Sequence, residues 1–240
     1  FKGMVQVAKN KPFMKLCGAT FLVFNGFQMV ASFSFFIIVY YMFNGDYAEA
    51  GNWPAWFSTI TAIVTAFAVI PIISYIANKK GKRNAFIIST VISIIGYILK
   101  WWGFDPGNPW LMFIPIPFMA FGLGGLFTLM MSMTADVCDM DELDNGMPRK
   151  EGTFGAIYWW MVKIGQSLAL FLGGLVLKLV GFDGNAATQT GETMTSLRIA
   201  DVVIPSLTAG LAILIMWKYS LSEKRAREIK KELVERRGEL

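Results

Sequence analysis

Long apolar runs, separated by short polar and charged punctuation, dominate the chain. Six of them, at 16–43, 54–77, 85–102, 110–135, 153–180 and 199–219, approach or exceed the ~20 residues that a helix needs to cross a bilayer core. They are apolar throughout rather than alternating, which predicts helices and not barrel strands. The pattern therefore predicts an all-α membrane protein, a six-transmembrane-helix bundle over 16–219. Residues 1–15 form a leading cytoplasmic segment and 220–240 a polar tail helix. Pro71 and Pro205 fall inside runs, where neighbouring helices can satisfy the freed backbone groups. Pro115 and Pro117 predict an irregular start to the fourth run. Gly122, Gly124, Gly125, Gly173 and Gly174 mark places where helices can approach closely.

Composition strengthens this picture. Hydrophobic residues make up 55% of the chain and charged residues 16%, against ~25% charged in soluble domains. The absence of histidine removes the commonest metal ligand and general base. Cys17 and Cys138 fit neither a disulfide framework nor a zinc pattern. The chain starts at Phe1 without an initiator methionine or signal-peptide layout, so a fragment or processed segment is expected.

Charge sets the orientation. Lys2, Lys9, Lys11 and Lys15 precede the first run, and Lys79, Lys80, Lys82 and Arg83 follow the second. Arg149 and Lys150 follow the fourth, and eight basic residues lie between Lys218 and Arg237. The other side has Lys100, Lys178 and Arg198 near its membrane ends, with Trp53, Trp56, Trp101, Trp102 and Trp110 as an interfacial belt. By the positive-inside rule the basic side is cytoplasmic. The expectation is a multi-pass plasma (inner) membrane protein with both ends in the cytoplasm, and the lipid bilayer as a partner.

One charge lies deep in a run. Lys163 sits about ten residues into the fifth, ~15 Å from either face, where an ammonium costs ~2.5–3.5 kcal/mol. It is expected to face the bundle interior and find a carboxylate, a polar ligand or water. Trp159, Gln166 and Ser167 share its helical face, and Tyr158 and Val162 lie beside it. An aromatic plate, a cation and an amide suit a sugar; the alternatives are a structural ion pair or a lysine held neutral by desolvation. Asn25 and Gln28 could line the same cavity or join helices by hydrogen bonds. Thr128 and Ser132 are weaker candidates of the same kind. Asp201 is expected near the outer end of the last run, too far away to pair with Lys163. The lysine's partner is thus expected on another polypeptide segment.

The charged segments carry a resemblance. Asn78-Lys79-Lys80-Gly81-Lys82-Arg83 resembles the basic loop motif of the major facilitator superfamily, with Asn78 in place of the leading aspartate. Asp136, Asp139 and Glu142, then Arg149 and Glu151, then Lys163 follow in an order that resembles the glycoside–pentoside–hexuronide:cation symporter family. The likeness extends along essentially the whole chain, as the C-terminal half of such a protein. It implies twelve helices in two six-helix halves with the sugar between them. Tyr158, Trp159, Val162 and Lys163 would contribute to the central site. The coupling cation, sodium, lithium or a proton, would be bound mainly by the N-terminal half. No other cofactor is implied, and no resident metal. The aromatic residues at 158 and 159 leave pentosides, hexuronides or other glycosides open as substrates.

The acidic loop reads as a gate if its charges pair across the two halves in one conformation and release in another. Permanent pairing is the alternative. The expected function is cation-coupled sugar symport by alternating access. Alternatives are a related carrier of lipids or other small solutes, and a self-contained six-helix dimer. An intramembrane enzyme would need catalytic groups at depth, and the sequence has no histidine, no GxSxG and no carboxylate pair inside the runs. The tail, with Glu223–Arg227 and Glu232–Arg236 at helical spacing and a stripe of Leu221, Ile229 and Leu233, predicts a helix on the membrane surface facing anionic headgroups. Its interleaved acids argue against nucleic acid.

Overall fold

The computed structural model describes residues 2–146 and 149–238, and six of its helical segments are long and apolar enough to cross a membrane. A short helix, α1 (Lys2–Lys9), precedes the first crossing, α2 (Lys11–Phe36), which continues as a π-helical stretch over Ile37–Met42. The Asn10 side-chain oxygen accepts the Phe13 amide at 3.0 Å, and Pro12 fits a first turn that needs no donor. This cap starts the crossing at residue 11 rather than 16.

The second crossing is broken. It comprises α3 (Tyr47–Ala50), α4 (Trp53–Val64), a π-helical stretch at Thr65–Val69 and α5 (Ile70–Lys80). Pro71 explains the widened turn, because it lacks an amide proton and its ring would collide with the carbonyl four residues back. Gly81, with φ of 82°, turns the chain directly into α6 (Lys82–Gly103). The basic motif is thus mostly two helix ends around one glycine.

After a 3₁₀ turn at Pro109–Phe113, α7 (Ile116–Asn145) forms the fourth crossing. It runs to residue 145 instead of 135, so Asp136, Asp139 and Glu142 lie on helix rather than in the expected loop. The helix stops at Gly146, whose φ is 76°. The fifth and sixth crossings are α8 (Glu151–Leu179) and α9 (Gly191–Trp217). Thr190 caps α9, accepting the Thr193 amide at 3.2 Å, and starts it at residue 191 rather than 199.

Helix α2 packs against α7, α8 and α9, and α6 packs against α7 and α9. Small residues set the α6–α7 distance: a Cβ on Gly125 would collide with Ser89 Oγ. The second crossing and α8 are the least covered, with 11% and 22% of their apolar windows buried against 61% for the first. These two supply the bundle's open faces. At the end away from the chain termini, the Trp53 ring meets Trp110 at 5.0 Å and Trp56 at 5.5 Å.

The tail forms α10 (Glu223–Arg237), capped by Ser222. Its stripe of Leu221, Ala226, Ile229 and Leu233 is buried in the core cluster, with α10 packed on α7. The apolar stripe therefore docks on the bundle instead of facing headgroups. Arg227 pairs with Glu223 at 3.3 Å, whereas Glu232 pairs with Arg225 at 2.9 Å.

Candidate functional site

Helix α8 buries Phe154, Tyr158, Val162, Gly165, Ala169 and Gly173, a stripe at helical spacing that lies mainly against α2. Lys163 falls off that stripe and points out of the bundle. This corrects the expectation of an interior-facing lysine: the buried face of α8 carries no charged residue and is apolar apart from the Tyr158 hydroxyl, so the charged face turns outward. No hydrogen bond or ion pair reaches Lys163 among the described residues. It lies in a shallow groove with Trp160, Ile164, Ser167, Leu168 and Phe171.

Trp159 and Ser167 are exposed beside it, and Gln166 is half-buried. The Trp159 ring stacks on Phe127 of α7 at 6.5 Å and 26°. Tyr158 and Val162 do not join this face; they are core residues, 0% and 3% exposed. Asn25 is also buried, and its Nδ2 donates to the Gly165 carbonyl at 3.1 Å. Here it joins α2 to α8, the second of its two expected roles. Gln28, one turn on, is half-buried. Thr128 and Ser132 line a small cavity of about 150 Å³ with Ser74, Lys82 and Glu223.

At the end of α7, Asp136, Asp139, Asp141 and Glu142 are engaged within this chain. Asp136 lies 2.5 Å from Lys82 and 3.9 Å from Lys230 of the tail. Arg149 bridges Asp139 at 2.8 Å, Glu142 at 3.9 Å and Glu151 at 3.2 Å. Asp141, which sequence reasoning passed over, accepts from Lys150 at 2.8 Å and from Asn145 at 2.9 Å. The arrangement ties the starts of α6 and α8, and the tail, to the end of α7. Most of these groups are substantially buried, so the network is stronger than a set of exposed pairs.

A second charged site was not expected. Lys100 of α6 and Asp201 of α9 form an ion pair, each about 1% exposed, and the Lys100 ammonium also donates to Ser34 Oγ of α2 at 3.0 Å. Reading Lys100 as an outer-end charge missed this, because Asp201 lies on a helix that begins well before 199. The available signal was a lysine and an aspartate each falling within an apolar run. One turn before Asp201, Arg198 stacks on Tyr41 at 4.1 Å and Trp101 at 4.4 Å, and donates to the Trp101 carbonyl. Ser34 also lines an apolar cavity of about 430 Å³, bounded by α2, the second crossing and α7. The cavity wall includes Phe27, Phe57, Thr61, Thr65 and Met119.

Among known proteins, the chain is 26% identical over 230 residues to the glucuronide carrier protein homolog of Escherichia coli, covering 95% of this chain and 48% of that protein. It is 23% identical over 215 residues to the isoprimeverose transporter of Lactiplantibacillus pentosus, covering 90% and 43%. A third relative, the sodium-dependent lysophosphatidylcholine symporter 1-B of Danio rerio, is 23% identical over 241 residues, covering 99% and 44%. The chain thus spans about half the length of the curated relatives it matches. The family model described as MFS/sugar transport protein matches residues 1–223, and the chain belongs to that family.

Proposed function

We propose that this chain is one six-helix half of a cation-coupled symporter for a sugar or glycoside, working by alternating access. The observation that carries the reading is Lys163, a cation without a partner among the described residues, on an outward face of α8 beside Trp159, Gln166 and Ser167. A second six-helix half laid over this face would enclose the lysine between the two bundles, where intramembrane charges serve substrates or ions. Two relatives are named for glycosides, and a glucuronide carries a carboxylate that an ammonium can hold. The basic end of the bundle lies in the cytoplasm of a plasma-membrane protein, with both described chain ends there. The coupling cation, sodium, lithium or a proton, is held mainly by the other half. The reading is transport and not catalysis.

The α7 charge network serves as the gate at the cytoplasmic mouth. Arg149, shared among three carboxylates, has partners to exchange when the two halves rock. Lys163→Leu in the whole transporter abolishes accumulation of a glucuronide, measured as radiolabelled uptake into vesicles under a sodium or proton gradient. Accumulation at the wild-type level would overturn the site. A second reading, an amphiphile carrier, is favoured by the apolar lining of the 430 Å³ cavity. Competition by lysophosphatidylcholine, with none by glycosides, would establish it instead.

A further inference from the structure

The Lys100–Asp201 pair has properties that a purely structural lock does not require. Asp201 Oδ1 is buried without a hydrogen-bond partner among the described residues, while the carboxylate is held on its other side by Lys100. A carboxylate that leaves one lone-pair-bearing oxygen dry and unpaired is poorly stabilised in its charged form and has a vacant position for a proton. The pair is also not sealed on every side. The Lys100 ammonium reaches Ser34 Oγ, and Ser34 forms part of the wall of the 430 Å³ cavity. Toward the aromatic end, Arg198 between Tyr41 and Trp101 caps the site. The chain of groups therefore leads from Asp201 to the cavity.

We propose that Asp201 is a proton-binding site of this half of the transporter, exchanging its proton with the cavity through Lys100 and Ser34. Lys100 passes one ammonium proton to the Asp201 carboxylate. As the amine forms, it takes the Ser34 hydroxyl proton. In concert, Ser34 Oγ receives a proton from a hydronium ion carried by water beside the Ser58, Thr61 and Thr65 hydroxyls of the cavity, so that no alkoxide is left and water is the by-product. The sum is uptake of one proton, which converts a neutral ion pair into a neutral acid beside an ammonium. Among the described residues, the other charged or ionisable groups facing the site are Tyr97 of α6 and Arg198 of α9. Protonation ends the attraction between α6 and α9 and leaves a dry cation next to the cavity. That state is favoured when an anionic group enters the cavity, so proton and anion binding are linked in both directions. The inference deepens the transport reading by assigning a proton-responsive group to this half, in addition to any cation site in the other.

The test uses the whole transporter in liposomes, with no substrate, and infrared difference spectra between alkaline and acidic buffer. In the wild type, acidification produces the carbonyl stretch of a buried carboxylic acid. The Asp201→Asn protein lacks that band, and in Lys100→Met the band persists to more alkaline pH because the neighbouring cation is gone. Should neither variant assemble, Ser34→Ala keeps both charges and shows the band forming more slowly after a rapid acid jump. A wild-type spectrum without the band overturns the proposal. So does a band unchanged in Asp201→Asn or, in the fallback, band kinetics unchanged in Ser34→Ala. Glucuronide uptake is measured on the same preparation. Its absence at every pH would remove the transport reading while leaving the proton site standing.

Discussion

Lys100 and Lys163 both lie within helices that cross the membrane, yet their surroundings are opposites. Lys100 is enclosed by three helices, with a carboxylate and a hydroxyl in reach. Lys163 stands on the open face of α8 with no partner among the described residues. A cation in an apolar setting is tolerated only when something compensates it. For Lys100 the compensation is inside this bundle and contributes to joining α6 to α9. For Lys163 no compensation is present among the described residues, and under the proposed function it comes from substrate and a second half. Under the proposed function, the same residue type is paired within the bundle in one place and left for substrate and a second half in the other.

That contrast can be broken in several ways. Lys100→Met alone leaves Asp201 without its counter-charge and should lower stability by about 3–5 kcal/mol in alkaline buffer, where the carboxylate is charged, and by less in acid, where it carries a proton. The double change Lys100→Met with Asp201→Leu should recover most of the loss. Unfolding in mixed micelles reads both, and a silent single variant would show that the pair fastens nothing. Gly125→Val, on the α6–α7 seam that positions Lys100, forces its side chain into Ser89 and should cost about 1–3 kcal/mol in the same assay. Asn25→Ala removes the bond that seats α8 on α2 and should cost ~0.6–1.7 kcal/mol. It should also change the labelling rate of a cysteine placed at Ser167, as α8 gains freedom to rotate. Glu223→Gln, at an exposed tail pair remote from both lysines, should change stability by ~0.5 kcal/mol or less.

The crossings were legible in the sequence because hydrophobic length alone defines them. Their ends were not. Asn10 and Thr190 cap helices well outside the apolar runs, and α7 carries its acids on three further helical turns. Hydropathy cannot see a helix that continues into polar sequence. The error at α9 had the larger consequence, since it hid the depth of Asp201 and so its pairing with Lys100. Within α8, the grouping of Trp159, Gln166, Ser167 and Lys163 followed directly from the helical repeat. Which way that group faced did not follow, because outward and inward faces of a membrane helix can be equally apolar. Tyr158 and Val162 were associated with the lysine through sequence adjacency and family likeness, and the 100° step between neighbouring residues separates them from it. The tail stripe was legible, but its docking site on α7 depends on contacts between segments far apart in sequence.

The decisive experiment measures two properties of Lys163→Leu in one preparation, glucuronide accumulation and thermal unfolding. Accumulation should be lost while stability stays within about 0.5 kcal/mol of wild type, as for substitutions away from packed or paired groups. Retained accumulation, or a loss of accumulation accompanied by a collapse in stability, would contradict a working role for this lysine between two halves.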